Sequence, residues 1–331
     1  MEVKGVKLKV LGRGAYGVVH LVETTSPCSG LFAVKSAPLT KSFSLSKEWE
    51  IFKKFIGCPN IVQCFGGFTS FERDGGYFYN LFLEYASGGS LLDLMNKYGG
   101  KIPECDVKDY ARMILEGLVD IHNRGYIHSD LKPENILVFP SQTGSDLNTL
   151  KIADFGLARQ CGEKDIPQLW EYGFRGTADY MSPESVMGEI SGALDVWSLG
   201  CIIVEMIIGK MPWNYSNLKD LRNKLLNGES PKIPENMSSI GKDFLAKCFA
   251  RDPKQRWMAN MLLSHSFLMP EFSFFSYGSN LPQLFSALSS TIFDEDKSLI
   301  QSTKSFQKDD KFGPEGDLVE NLRLQVMKMG V

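Results

Sequence analysis

The stretch that most constrains this chain is Ile127-His128-Ser129-Asp130-Leu131-Lys132-Pro133-Glu134-Asn135, a short polar loop between two apolar runs. It sets a carboxylate, an ammonium and a side-chain amide within six residues. Such a set can accept a hydroxyl proton, stand beside a transferred phosphate and ligate a hard cation, which is what phosphoryl transfer asks of side chains. Nineteen residues beyond Asn135 comes Asp154-Phe155-Gly156. Between the two motifs, Ile136 to Phe139 and Leu150 to Ala153 flank a polar turn and read as a hairpin. A hairpin brings its ends side by side, so Asn135 and Asp154 would present two oxygens together, the ligand type that Mg²⁺ prefers. By itself, Asp154 would be read as a turn or capping residue.

Upstream, β-rich runs at 6–11 and 18–23 flank Gly12-Arg13-Gly14-Ala15-Tyr16-Gly17. A glycine-rich turn between two strands lets backbone N–H groups approach phosphate, because no Cβ intervenes. A helix after the loop would point to a dinucleotide fold; here a second strand follows, ending in Val18-Val19. Phe32-Ala33-Val34-Lys35 is a strand with one lysine in an apolar setting, either an edge residue or an ammonium for phosphate. Residues 45–55 carry Leu45, Trp49, Phe52 and Phe55 at helical spacing, with Glu48 and Glu50 as candidate partners for Lys35. Runs at 61–68 and 78–85 read as further strands, and the second breaks into Ser87-Gly88-Gly89, a hinge signal.

Taken together, these residues resemble the signature set of the eukaryotic protein kinases. The resemblance spans about residues 4–268. It implies an α+β, bilobal fold: a small antiparallel β-rich lobe with one helix over 4–84, a hinge at 84–89, and a larger, mainly helical lobe over 90–268. It implies ATP and Mg²⁺ as cofactors. Carried onto this sequence, Leu11, Gly12, Gly14, Gly17 and Val19 would cover the nucleotide, and Lys35, held by Glu48 rather than Glu50, would bind its phosphates. Leu83 would guard the back of the pocket, and the Glu84 carbonyl and Ala86 amide would hold the adenine. Asp130 would accept the hydroxyl proton, Lys132 would stabilise the transferring group, and Asn135 and Asp154 would hold the metal. Asp-Leu-Lys-Pro-Glu-Asn is the loop of the serine/threonine class, so the acceptor would be a Ser or Thr hydroxyl.

Ahead of the loop, Val107, Ala111, Ile114, Leu115, Leu118 and Ile121 form a core-facing helical stripe. His122 at its end reads as a packed residue. His128 reads as a buried brace near Phe155, with the base role left to Asp130. The activation segment, 154–184, closes with Gly176-Thr177-Ala178-Asp179-Tyr180-Met181-Ser182-Pro183-Glu184. By resemblance, Thr177 contacts Asp130 and Lys132, and Glu184 forms a buried bidentate pair with Arg256. Asp195 caps the next helix and bonds the catalytic-loop backbone, and a last helix closes the domain near 268.

Two features depart from the family. Before the catalytic Asp, most regulated kinases carry an Arg that pairs with an activation-loop phosphate; here the residue is Ser129. From Phe155 to Gly176 there is no Ser or Thr, and Tyr172 carries the sole hydroxyl. Both point to a kinase that needs no phosphate in the body of its activation loop. Gly57 to Gly66 and Tyr79 to Leu91 resemble the plant MEKK-like MAP kinase kinase kinases, which implies a MAP kinase kinase as protein substrate in a stress or hormone cascade. The subfamily alternative is a receptor-like cytoplasmic kinase. A pseudokinase scaffold would have lost Lys35, Asp130, Asn135 or Asp154, all of which are present.

Composition excludes other classes. A net charge of -3 gives no broad basic surface, so neither nucleic acid nor an anionic membrane is expected as partner. The 7 cysteines are scattered without paired spacing and suit a reducing compartment. No signal-peptide core, spanning run or lipidation motif is present, so a cytoplasmic or nuclear location is expected. Residues 269–331 match no catalytic motif; a charged, broken stretch reads as partly disordered, and 317–329 as a short amphipathic helix.

Overall fold

The computed structural model describes residues 4–14, 17–26, 29–72, 75–141, 147–163 and 175–269, all within the unit Met1–Met269. The expected tail helix at 317–329, the loop tip Ala15-Tyr16 and Tyr172 lie outside the described residues.

The N-terminal part is an antiparallel sheet in the order β1-β2-β3-β5-β4. Its strands are β1 (Lys4–Gly14), β2 (Gly17–Ser26), β3 (Gly30–Pro38), β4 (Cys64–Glu72) and β5 (Gly76–Glu84). The first hairpin is longer than its β-rich runs predict, because the ladder pulls flanking residues into pairing as far as Gly14↔Gly17. Lys7 of β1 reaches Glu72 of β4, so the outer strands of the sheet curl toward each other. β3 is the middle strand, and Lys35 is buried on it, not at an edge.

The run at 61–68 is only partly a strand of this sheet. Val62 N–H donates to the Ile152 carbonyl at 2.9 Å, and Asn60 Nδ2 to the Leu150 carbonyl at 3.0 Å. Residues 60–62 therefore bond to β8 (Thr149–Ile152) in the other lobe. Buried polar groups must find partners, and β8 supplies theirs.

Helix α1 (Phe43–Phe52) packs on the sheet with Leu45, Glu48, Ile51 and Phe52 buried. After β5 come α2 (Leu91–Lys97), opened by a capping box between Ser90 and Asp93, and α3 (Glu104–Asn123). All six apolar positions of the predicted α3 stripe are buried. Short strands follow: β6 (Tyr126–Ile127), β7 (Ile136–Phe139), β8, and β9 (Arg159–Gln160). β7 and β8 form the expected hairpin, and β6 pairs with β9.

Helix α4 (Gly192–Ile208) is buried continuously from Leu194 to Ile207, as a helix apolar on all sides must be. Helices α5 (Leu218–Leu226), α6 (Ser239–Cys248) and α7 (Ala259–Leu263) complete the fold, with a 3₁₀ turn at Ser266–Leu268. This is the bilobal arrangement that the resemblance implies.

Candidate active site

The loop after β6 is held from below by one buried carboxylate. Asp195, in the first turn of α4, accepts from His128 N–H and Ser129 N–H, both at 2.9 Å. It is not the helix cap, a position held by Ser191. Its third partner is His122 Nε2 at 2.9 Å, so His122 is a working hydrogen-bond partner and not merely a packed helix end. Burial pushes the Asp195 carboxyl up, but His122 and the backbone donors bring it below the ordinary carboxylate range. Ser129 sits at φ 67° and Asp154 at φ 62°, the positive-φ non-glycine residues among those described. Backbone in this region is costly for L residues and persists where surrounding bonds over-determine it.

His128 is fully buried. Its Nε2 lies 2.9 Å from the Ala153 carbonyl, its Nδ1 accepts from Asp130 N–H at 3.3 Å, and its ring meets Phe155 edge-on. Both nitrogens are thus engaged in bracing the loop.

Above this base Lys132, Thr177 and Asn135 converge on Asp130. Lys132 Nζ lies 3.1 Å from Asp130 Oδ2 and 2.7 Å from Thr177 Oγ1. Thr177 donates to Asp130 Oδ1 through both N–H (3.0 Å) and O–H (3.1 Å). Asn135 Nδ2 donates to the Asp130 carbonyl at 2.9 Å and to its carboxylate at 3.2 Å. The amide nitrogen is therefore used within the loop, which leaves Oδ1 as the atom that Asn135 can offer a cation. Ala153 N–H donates to the Asn135 carbonyl at 2.8 Å and ties the two ends of the β7–β8 hairpin together next to Asp154.

On the other wall, Lys35 Nζ bonds Glu48 at 2.8 and 3.0 Å and Asp154 Oδ1 at 2.9 Å. Burial opposes the charge on this ammonium; two carboxylates outweigh it and push the Lys35 pKa upward. Burial likewise opposes ionisation of Asp154, but Lys35 and Gly156 N–H hold it below its usual value. Glu48 also accepts from Phe155 N–H at 3.2 Å. Glu50 points outward and pairs with Lys53.

The remaining predicted residues line the approach. Gly12 pairs with Val19 and Val19 with Lys35 across the sheet, while Leu11 is exposed. A Cβ at Gly12 or Gly14 would meet open space, as a backbone offered to a ligand requires. Gly17 is different: at φ +142° its Cβ would stand 2.4 Å from the Ser36 carbonyl, so packing within the sheet demands glycine there. Leu83 is buried opposite Ala33. Ala86 follows in the hinge, where Gly88 N–H donates to the Val138 carbonyl at 3.0 Å.

Glu84 has a role that its strand position does not reveal. Its carboxylate accepts from Gln63 N–H at 2.7 Å and pairs with Lys151 at 2.7 Å, which fastens the end of β5 to β8. The activation segment ends as expected: Arg256 grips Glu184 with two bonds of 2.5 and 3.1 Å, both residues 3% exposed. Where other kinases would carry Arg, Ser129 borders a cavity of about 30 Å³ lined also by Arg175, Ser182 and Glu189. A broader depression of about 560 Å³ near Leu39 and Phe78 contains none of the predicted site residues.

Residues 6–268 match the protein kinase domain. The chain belongs to the protein kinase family. Among similar curated proteins, this kinase is 41% identical to mitogen-activated protein kinase kinase kinase 20 of Arabidopsis thaliana, over 80% of this chain and 78% of that one. It is 36% identical to mitogen-activated protein kinase kinase kinase 18 of the same plant, over 79% and 76%. Mitogen-activated protein kinase kinase kinase A of Dictyostelium discoideum is 37% identical, over 81% of this chain and 28% of that protein. The kinase is a serine/threonine protein kinase that uses ATP. No helix among the described residues is long and apolar enough to cross a membrane.

Proposed function

We propose that this kinase transfers the γ-phosphoryl group of ATP to Ser or Thr hydroxyls of a MAP kinase kinase, in a stress or hormone cascade of cytoplasm or nucleus. The observation that carries the chemistry is the convergence of Lys132, Asn135 and Thr177 on Asp130, opposite a Lys35 bonded to Glu48 and Asp154 at once. The kinase domain is taken as 4–268, with lobes meeting at the hinge 84–89.

In this reading Lys35 holds the nucleotide phosphates, and Glu48 fixes its position. Gly12 and Gly14 give backbone access from above, and the Glu84 carbonyl and Ala86 amide take the adenine beneath Leu83. Asp130 orients the acceptor hydroxyl and takes its proton; Lys132 counters charge that builds on the transferring group. Asn135 Oδ1 and the Asp154 carboxylate are hard oxygen donors at adjoining hairpin ends, which fits Mg²⁺, a cation that typically takes one or two protein carboxylates and fills its shell from phosphate and water. When bound, Mg²⁺ would neutralise phosphate charge. With Ser129 in place of Arg, the kinase works without an activation-loop phosphate.

The test is phosphate transfer from labelled ATP and Mg²⁺ by phosphatase-treated protein to an inactivated MAP kinase kinase and to a generic Ser/Thr peptide. The expected result is transfer to both, reduced by at least about 10²-fold in Asp130→Asn. Transfer to the peptide alone would remove the cascade from the proposal. An inert parent that recovers only after loop phosphorylation would refute the claim of phosphate independence.

A further inference from the structure

Ser182, in the closing run of the activation segment, carries a polar atom that the fold buries without pairing it. The residue is 0% exposed, and its Oγ has no hydrogen-bond partner among the described residues. A buried hydroxyl without a partner is costly, so its presence in a native fold asks for an explanation. Ser182 lines the cavity of about 30 Å³ that also meets Ser129. A single water needs about 10–15 Å³ of such space and two to four polar partners. The cavity therefore takes about one or two waters and is too small for a phosphate group.

Its walls supply the partners. Ser185 and Ser198 line it as well. Ser185 Oγ donates to the Ser182 carbonyl at 2.7 Å, and Ser198 Oγ to the Tyr180 carbonyl at 2.8 Å. Each spends its proton there and keeps oxygen lone pairs for an incoming donor. Ser129 Oγ reaches the Ile127 carbonyl at 3.5 Å, too long for a strong bond. Arg175 and Glu189 bring one charge of each sign to the lining, which favours a neutral occupant over an ion.

We propose that an ordered water binds in this cavity, hydrogen-bonded to Ser182 Oγ and Ser129 Oγ, and ties the catalytic loop to the end of the activation segment. Both ends of the tie are anchored. Ser129 N–H donates to Asp195 at 2.9 Å, and Ser182 stands two residues before Glu184, which Arg256 grips. Ser129 also adjoins Asp130. Resting on the reading that Asp130 orients the acceptor hydroxyl, the same water keeps the Asp130 loop in register with the segment that follows Thr177.

A crystal structure of the full chain that resolves ordered waters is expected to show density within hydrogen-bond distance of both serine oxygens. Two well-ordered serines with no density between them overturn the proposal. Thermal unfolding supplies an independent sign. A hydroxyl satisfied by water contributes to stability, so Ser182→Ala and Ser129→Ala each lower Tm by about 1–4 °C. The double variant falls by less than the sum, because either single change already strands the other hydroxyl. A dry Ser182 hydroxyl would instead be relieved by its removal; a raised Tm in Ser182→Ala, or strictly additive effects in the double variant, overturns the water. With a generic Ser/Thr peptide, Ser182→Ala lowers kcat/KM for the peptide about two- to five-fold while KM for ATP holds within about twofold. Unchanged peptide kinetics with the water in place overturns its positioning role alone. A parent inert toward the peptide, with the water in place, supports the site and overturns the reading of Asp130 on which that role rests.

Discussion

At Gly176 the backbone passes through φ +115°, and an added Cβ would stand 2.9 Å from Asp130 Oδ1. The glycine therefore lets Thr177 approach Asp130 closely enough for its two bonds. Gly176→Ala is expected to lower kcat by about 10²-fold, since displacing a catalytic group by an ångström costs that much. Steady-state kinetics on the peptide substrate, with ATP binding as the folding control, checks this. Motif spacing names Thr177, Asp130 and Lys132, because they come from short, recognisable runs. It does not reveal that Ser129 and Asp154 sit at positive φ, nor that the Ser36 carbonyl leaves no room for a Cβ at Gly17. Those are consequences of close packing between segments, and neither serine nor aspartate advertises them.

The central helix, α4, organises the larger lobe and carries two buried carboxylates with opposite electrostatics. Asp195 is met by donors and is held below its ordinary range. Glu205, 4% exposed, is pushed up by burial, although Tyr180 O–H donates to it at 2.6 Å; Glu134 and Asp179 add to the shift. A folded-state pKa above the unfolded value means that the stability linked to Glu205 is fully present below about pH 4.3 and is lost as pH rises through the folded value. Glu205→Gln removes that loss and keeps an acceptor for Tyr180. Urea unfolding is expected to find the variant at least as stable as the parent at pH 7, by up to about 1 kcal/mol, with the difference shrinking toward pH 4. A parent more stable at pH 7 by over about 1 kcal/mol would show that Glu205 is stabilised as a carboxylate. Nothing in the apolar run of α4 distinguishes these two acids; only their neighbours do.

Across the whole molecule, the activation segment is anchored to the end of the fold by Arg256. Its guanidinium bonds Glu184, the Ala193 carbonyl at 2.8 Å and the Ala250 carbonyl at 3.0 Å, and lies over Trp197. Removing one member of a buried pair strands the other charge, so Arg256→Met is expected to cost about 3–5 kcal/mol in chemical denaturation. Glu184→Gln combined with Arg256→Met should recover part of that loss, because no unpaired charge then remains.

By itself the sequence determined the class of fold and the kind of chemistry through its resemblance to the protein kinases, carried by the Asp130 loop, Asp154-Phe155-Gly156 and Lys35, while the hydrophobic periodicities marked single elements as local signals. The β7–β8 hairpin belongs here too, since its turn joins neighbours in sequence. Only the tertiary structure decided which distant groups meet. Lys35 bonds Asp154 from 119 residues away, Lys47 reaches Ala158 from 111, Glu84 is fastened to Lys151 from 67, and His122 to Asp195 from 73. Burial opposes the charge on Lys35 and on Asp154, and the partners that packing brings to them outweigh it, so the ammonium stays charged and the carboxylate ionised. Pairings across such separations leave no periodic trace in either partner's neighbourhood, because they are fixed by how sheet and helices pack and not by the residues beside them.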